Sequence, residues 1–307
     1  MITVQENVPL ASLTTFQIGG PGRYVVQVST EAEICEALEH ARKNHLAFAI
    51  LGGGSNVLAS DAGFDGLIIR ILGGKMRISG TELSVDAGCD LWQTIVQASQ
   101  TGLGAWEKLA GIPGTVGGGV RGNACAFGIE IKDVVISVHA LHCDTLEART
   151  FLNAECEFTY RGSFFKTHPQ WIILSVELRL THIELEKSQE SIQQTVAERE
   201  KRHLQNVRAA GSYFMNPLAS EDVVRMFESE KATTARNGRV PAGWLIESAG
   251  MKGARQGGAV ASLQHPNYLT NDNGATAADV QELARMIKEA VKAKFGIQLQ
   301  EEAALLE

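Results

Sequence analysis

Two stretches of this chain strip the backbone of side chains: LGGGSN at 51–56 and GIPGTVGGG at 111–119. Glycine in such numbers serves turns that need positive φ, or places where another molecule approaches the main chain closely. A single cluster reads first as a turn. Two clusters can converge on one anion, because consecutive backbone N–H groups form a concavity that suits phosphate. The chemistry this pattern fits is the holding of a diphosphate. The common nucleotide fingerprints are absent: GxGxxG would need glycine at Val57, the second stretch runs GxxGxxG, and there is no GxxxxGKS or GxxxxGKT. A dinucleotide held outside the Rossmann and P-loop folds is the reading that remains.

The elements that must position these loops follow from periodicity. Residues 30–45 predict a helix: Thr30 and Glu33 fit a capping box, and Ile34, Ala37, Leu38 and Ala41 share one face. AFAIL (47–51) reads as a buried strand running into the first glycines. GLIIRI and TELSVDAG predict further strands, DLWQTIVQASQTG a helix closed by Gly102, and DVVISVHALHC and WIILSVELRL strands again. The charged segment KSQESIQQTVAEREKRH predicts a helix that crosses into a second domain. TAADVQELARMIKEAVKAKFG predicts a helix with Val280, Leu283, Ala284, Ile287 and Val291 on one face; Gly296 stops it, and IQLQ reads as a returning strand. The class is α+β, with strands too irregularly interleaved for a simple doubly wound sheet. The expected organisation is a cofactor-binding region over 1–186, in two parts (1–72 and 73–186), a substrate domain over 187–294, and a C-terminal strand over 295–307 that returns to the active site.

Composition narrows the function. The 307 residues carry a net charge of −7, which argues against nucleic acid, whose phosphates need a basic face. A few local arginines can still hold a diphosphate. The start has no basic region followed by an apolar core, and no apolar run approaches the ~20 residues that span a membrane. Cys35, Cys89, Cys125, Cys143 and Cys156 are odd in number and scattered, so they read as reduced thiols rather than a disulfide set or zinc site. His139 and His142 lie three apart in a strand, pointing to opposite faces, so no metal is expected. A cytoplasmic location follows by elimination.

Six segments, in order, bear a closer resemblance. LGGGSNVLASDAGFDGLIIR, GIPGTVGGGVRGNACAFGIEI, YRGSFFK (160–166), AGSYFMNP (210–217), AGWLIESAGMKG (242–253) and FGIQLQEE (295–302) resemble the UDP-N-acetylenolpyruvoylglucosamine reductase family. The resemblance implies FAD, bound in the fold shared with vanillyl-alcohol-oxidase-type flavoenzymes and joined to a smaller α+β substrate domain. It implies a first FAD loop of Leu51, Gly52, Gly53, Gly54, Ser55, Asn56, Val57 and Leu58. The second comprises Gly111, Ile112, Pro113, Gly114, Thr115, Gly117, Gly118, Asn123 and Ala124.

The family reaction is the NADPH-dependent reduction of UDP-N-acetylglucosamine enolpyruvate. Hydride addition to the vinyl β-carbon creates negative charge that spreads into the neighbouring carboxylate. Something must stabilise that charge, and something must protonate the α-carbon. By resemblance Arg161 faces the carboxylate, where a guanidinium fork fits. Ser212 donates the proton, and Glu302 orients or polarises the carboxyl group. Tyr160, Arg202 and Asn216 are the implied substrate contacts, the last two at the diphosphate.

The match frays at Met215, Leu204, Arg208 and Cys125, where relatives carry other residues. Between LSVELRL and Arg199 the chain is short and lacks a tyrosine, which resembles the shorter form of the family; Tyr213 or Arg202 would then cover the diphosphate. The implied partners are the UDP-sugar and NADPH, with no nucleic acid and no membrane, in a monomer or weak oligomer. The alternative is a flavin oxidase or dehydrogenase of the same fold acting on another polar substrate.

Overall fold

A computed structural model describes residues 1–202 and 206–307; Leu204 lies outside them. The chain forms two compact units. The first takes 1–8, 22–54 and 64–201, and the second takes 9–21, 55–63 and 202–307.

The first unit holds two larger sheets, of four and five strands, beside two short strand pairs. β1 (Val4–Pro9), β2 (Pro21–Val28), β3 (Phe48–Leu51) and β5 (Phe64–Ile71) form one in the order β1-β2-β5-β3, with β2 and β3 both parallel to β5. Between β2 and β3 runs α1 (Glu31–Lys43), whose N-terminus has the expected reciprocal Thr30–Glu33 box. Its Ile34, Ala37, Leu38 and Ala41 pack on Val26, Val28, Leu67, Ile69 and Ile71. β3 differs from the expectation of a buried strand, for Ile50 is 38% exposed. It is the edge strand, so it is covered less completely than β5 beside it.

The second sheet is antiparallel, in the order β9-β8-β10-β7-β6. It comprises β6 (Met76–Ser79), β7 (Glu82–Asp86), β8 (Val135–His142), β9 (Ala148–Leu152) and β10 (Trp171–Arg179). α2 (Leu91–Gln100) and α3 (Val116–Arg121) add Leu91, Ile95, Val116 and Val120 to its core. α4 (Leu185–Lys201), whose charge suggested the entry to a second domain at 187, groups instead with this unit. Its Ile192 and Val196 pack on the first unit's core, and Ser188 Oγ donates to the buried Glu107 carboxylate at 2.7 Å. One apolar stripe among many charges was enough to hold the helix.

The second unit is built around α7 (Ala277–Phe295). Val280, Leu283, Ala284, Ile287 and Val291 are all buried as the periodicity required, each contributing about 1.5–3 kcal/mol if of valine size or larger. Gly296 closes the helix at φ 69°. Around it lie α5 (Glu221–Lys231), α6 (Ala242–Ser248) and a small sheet of β11 (Arg255–Gln256), β12 (Ala259–Ala261) and β13 (Leu269–Asn271). IQLQ forms no regular strand. The returning strand is β14 (Ala304–Leu306), parallel to β4 (Val57–Ala59).

Candidate active site

In the first unit β3 ends at Leu51 and releases the chain into the first glycines. A Cβ on Gly53 would stand 2.8 Å from Gly114 Cα, and one on Gly52 would stand 2.7 Å from Thr115 Oγ1. The two glycine stretches therefore meet, main chain against main chain, as their composition suggested. Gly111 and Gly114 turn the second loop at φ 77° and 120°. Ile112 packs on the core while Pro113 faces solvent. Thr115 then caps α3, its Oγ1 accepting from Gly118 N–H at 3.2 Å. The glycines of α3 have separate uses. Gly117 is pressed on Ala87, where a Cβ would come within 2.7 Å, whereas Gly118 is exposed and leaves a bare surface. This is a cradle that side chains would fill, and it fits a cofactor laid against backbone.

Asn123 and Ala124 are buried behind α3. The Asn123 amide donates to Glu130 at 2.6 Å and to Thr159 O at 2.9 Å, and its Oδ1 accepts from Lys132 N–H at 3.3 Å. That carboxamide braces protein. Part of what it braces is a tight turn in which Thr159 and Gly162 exchange both backbone hydrogen bonds, at 3.0 and 3.2 Å. Ser163 Oγ fastens the turn's exit to Arg121 O at 2.8 Å. Half-buried Tyr160 and Arg161 are its central residues. Arg161 has φ 58°, a left-handed conformation that disfavours a residue with a Cβ by about 1–2 kcal/mol. The turn keeps it there at a position glycine would fill more easily.

Ser55, Asn56, Val57 and Leu58 belong to the second unit. β4 pairs Val57 with Ala304 and Leu58 with Leu305, and Leu58 lies in the core. Asn56 Nδ2 donates to Glu302 O at 3.2 Å, and Asn56 O accepts from Ala304 N–H at 3.0 Å. Asp61 anchors the segment further, accepting from the N–H groups of Ala277 and Ala278 at 2.8 and 3.0 Å.

The same unit brings Ser212 and Glu302 onto one short ribbon. Glu302 N–H donates to Tyr213 O at 2.7 Å, and Met215 N–H to Gln300 O at 2.9 Å. Ser212, half-buried, directly precedes this pairing, and its Oγ has no hydrogen bond to a described residue. The adjacent acids separate in role. Glu301 is exposed and paired with Lys288 at 2.6 Å, leaving Glu302 as the half-buried carboxylate. Tyr213 is 4% exposed, and burial pushes its hydroxyl up to about 12. It is a core residue and cannot cover a diphosphate. Asn216 accepts Ala242 N–H on Oδ1 at 2.9 Å, at the start of α6, and Arg202 is exposed just beyond α4.

Two arginines that the sequence reading passed over stand without ion pairs among the described residues. Arg121 ends α3, and Arg70 lies in β5 with its Nε buried and without a hydrogen-bond partner. The available signal was an arginine inside the apolar strand GLIIRI. Among the described residues no cluster of three His, Cys, Asp or Glu could hold a metal, and no helix is long and apolar enough to cross a membrane.

Residues 22–146 match the family model for an FAD binding domain, and 201–306 that for the UDP-N-acetylenolpyruvoylglucosamine reductase C-terminal domain. The UDP-N-acetylenolpyruvoylglucosamine reductase of Solibacter usitatus is 35% identical over 98% of this chain and 96% of its own. That of Pseudomonas aeruginosa is 34% identical over 99% of both chains. The crystal structure of the Thermus caldophilus enzyme superposes with a TM-score of 0.78 at 29% identity, covering 100% of both.

Proposed function

The chain belongs to the UDP-N-acetylenolpyruvoylglucosamine reductase family, and on that premise we propose that Arg161, Ser212 and Glu302 carry the charge and proton chemistry of its reaction. That reaction is the NADPH-dependent reduction of UDP-N-acetylglucosamine enolpyruvate to UDP-N-acetylmuramate, in peptidoglycan precursor synthesis. FAD, when bound, supplies the transfer of hydride between the two substrates. Gly52, Gly53, Gly114 and Gly118 would hold it by backbone, with Ser55 and Asn56 at the other end of the first loop.

Arg161 receives the substrate carboxylate, and its fork gains strength as that group takes on charge. A turn anchored at Thr159 and Ser163 keeps the guanidinium from having to reorganise. Ser212 Oγ gives its proton to the α-carbon. Glu302 orients the same carboxyl group with Arg161, while Glu301 stays bound to Lys288. Arg202 supplies charge for the UDP diphosphate, and Tyr160 flanks Arg161 as a substrate contact. Asn216 is a further contact there, on a side chain whose Oδ1 also holds the start of α6. The chain works in the cytoplasm as a monomer or weak oligomer, which fractionation and light scattering would test.

The observation that carries the assignment is the pairing of Glu302 N–H with Tyr213 O, which sets Ser212 and Glu302 on one ribbon. The test is Ser212→Ala. Flavin bleaching by NADPH should proceed nearly as before, while reoxidation by the UDP-enolpyruvyl sugar slows about 10²- to 10⁴-fold. Equal slowing of both half-reactions would remove Ser212 from the proton-donor role.

A further inference from the structure

We propose that Arg70 is the cation that neutralises the FAD diphosphate, an assignment that rests on FAD being the ligand of the glycine loops. Its place in the sheet is the first reason. β3 and β5 are parallel, and Arg70 pairs in register with Leu51, the last residue before Gly52. Neighbouring strands lie roughly 4.8 Å apart and advance about 3.3 Å per residue, which puts the Cα of Arg70 roughly 6 Å from that of Gly52. An extended arginine covers that distance easily.

Orientation is the second reason. Leu67, Ile69 and Ile71 of β5 face α1, so alternation turns Arg70, with Ile68, to the opposite side of the sheet. There Leu51, Ile68 and Val25 are buried, and Arg70 is the charged residue among them. Its Nε is shielded from water with no hydrogen-bond partner, and the guanidinium forms no ion pair with a described residue. Burial lowers its pKa, with no carboxylate to offset the effect. A cation left this way in the protein alone is unfavourable unless an anion joins it.

The chemistry of the loops supplies the third reason. Gly52, Gly53 and Gly114 present peptide dipoles, which orient phosphate but carry no net charge. A dinucleotide brings two negative charges to a chain whose own net charge is −7. A guanidinium binds phosphate oxygens through two parallel N–H donors, and it does so best where water is excluded. Arg121 also lacks an ion pair, and burial lowers its pKa too, but it stands at the far end of α3 and has no register with the first loop.

The test compares wild type, Arg70→Met and Arg70→Lys as full-length chains stripped of flavin. Each is titrated with FAD and, separately, with riboflavin, which has the flavin ring but no phosphate, and each apo form is melted. Arg70→Met should bind FAD about 10- to 100-fold more weakly with riboflavin binding unchanged. Arg70→Lys should recover part of the loss. Because methionine removes a half-buried charge that has no ion pair among the described residues, the apo melting temperature should hold or rise while the increase produced by FAD shrinks. Unchanged FAD affinity, equal weakening toward FAD and riboflavin, or a lower apo melting temperature with an undiminished FAD response would each overturn the assignment. A wild-type chain that took up no FAD would overturn the cofactor reading together with it.

Discussion

Replacing Gly118 by alanine separates what a glycine does for the fold from what it does for a ligand. Gly118 lies in α3 and is exposed; an added Cβ would touch only Thr115 Oγ1, at 3.4 Å. Inside a helix alanine is favoured over glycine by roughly 0.5–1 kcal/mol, so the apo protein should be unchanged or slightly more stable. If the bare face of α3 lies against FAD, the same methyl group must displace the cofactor or its neighbours. Overpacking of this kind costs about 1–3 kcal/mol, or about 5- to 150-fold in affinity. The two effects have opposite signs. Gly53→Ala is the contrast, because its Cβ would sit 2.8 Å from Gly114 Cα and must push main chain aside. That variant should lose both apo stability and FAD affinity. Apo melting curves and FAD titrations by flavin fluorescence would read both quantities. A stabilised Gly118→Ala protein with unaltered FAD affinity would refute the placement of the cofactor on this face.

Three further outcomes follow from particular contacts. Arg161→Gly should stabilise the chain by about 1 kcal/mol by relieving its left-handed residue, yet slow flavin reoxidation by the UDP-sugar about 10²- to 10³-fold; unaltered reoxidation would exclude Arg161 from the chemistry. Glu302→Gln should abolish most turnover, while Glu301→Gln, which loses an exposed pair with Lys288, should change activity little and stability by less than about 1 kcal/mol; the reverse ranking would exchange the two acids. His265 is half-buried, and burial, with the Arg202 charge adding to it, holds its pKa below the ordinary 6.5. Below pH 6.5 the unfolded imidazole therefore takes up a proton that the folded one resists, so stability falls as pH drops through that window. His265→Gln should flatten this part of the melting profile, and an unaltered slope would dismiss His265 as its source.

What the sequence revealed of the fold was what periodicity encodes. α1 and α7 were legible to their buried residues because an apolar stripe at helical spacing leaves one face to cover, and Thr30 marked the start of the first and Gly296 the end of the second. Periodicity does not report neighbours. AFAIL has the composition of a central strand, but its place at a sheet edge leaves Ile50 exposed. IQLQ is apolar at Leu299, which is buried, yet the strand forms at Ala304–Leu306 because β4 lies there to receive it. α4 hid its allegiance in a charged helix whose few inward residues decide where it packs.

At the site, residue type was legible wherever chemistry leaves little choice. Glycines that must touch glycines cannot be replaced quietly, so the convergence of 52–53 on 114–115 could be foreseen from composition. Polar side chains have more than one use, and sequence does not choose among them. Asn123 and Asn216 stand in motifs whose resemblance implies ligand contacts, but Asn123 is fully buried and much of the hydrogen-bonding capacity of both goes to Thr159, Glu130 and Ala242. Arg161 gives no hint in its motif that its backbone is left-handed. The first loop carries the same lesson further. LGGGSNVL reads as one motif, yet its glycines are fixed by the second glycine loop, while Asn56 and Leu58 are fixed by Glu302 and β14. The division between the two units falls inside it, after Gly54. A substitution at Gly53 and one at Asn56 therefore perturb different supports of the same ligand loop. Because both act on the same ligand from neighbouring positions, a double-mutant cycle on FAD affinity should show a coupling of about 0.5 kcal/mol or more, and strict additivity would mean that one of the two does not meet the cofactor.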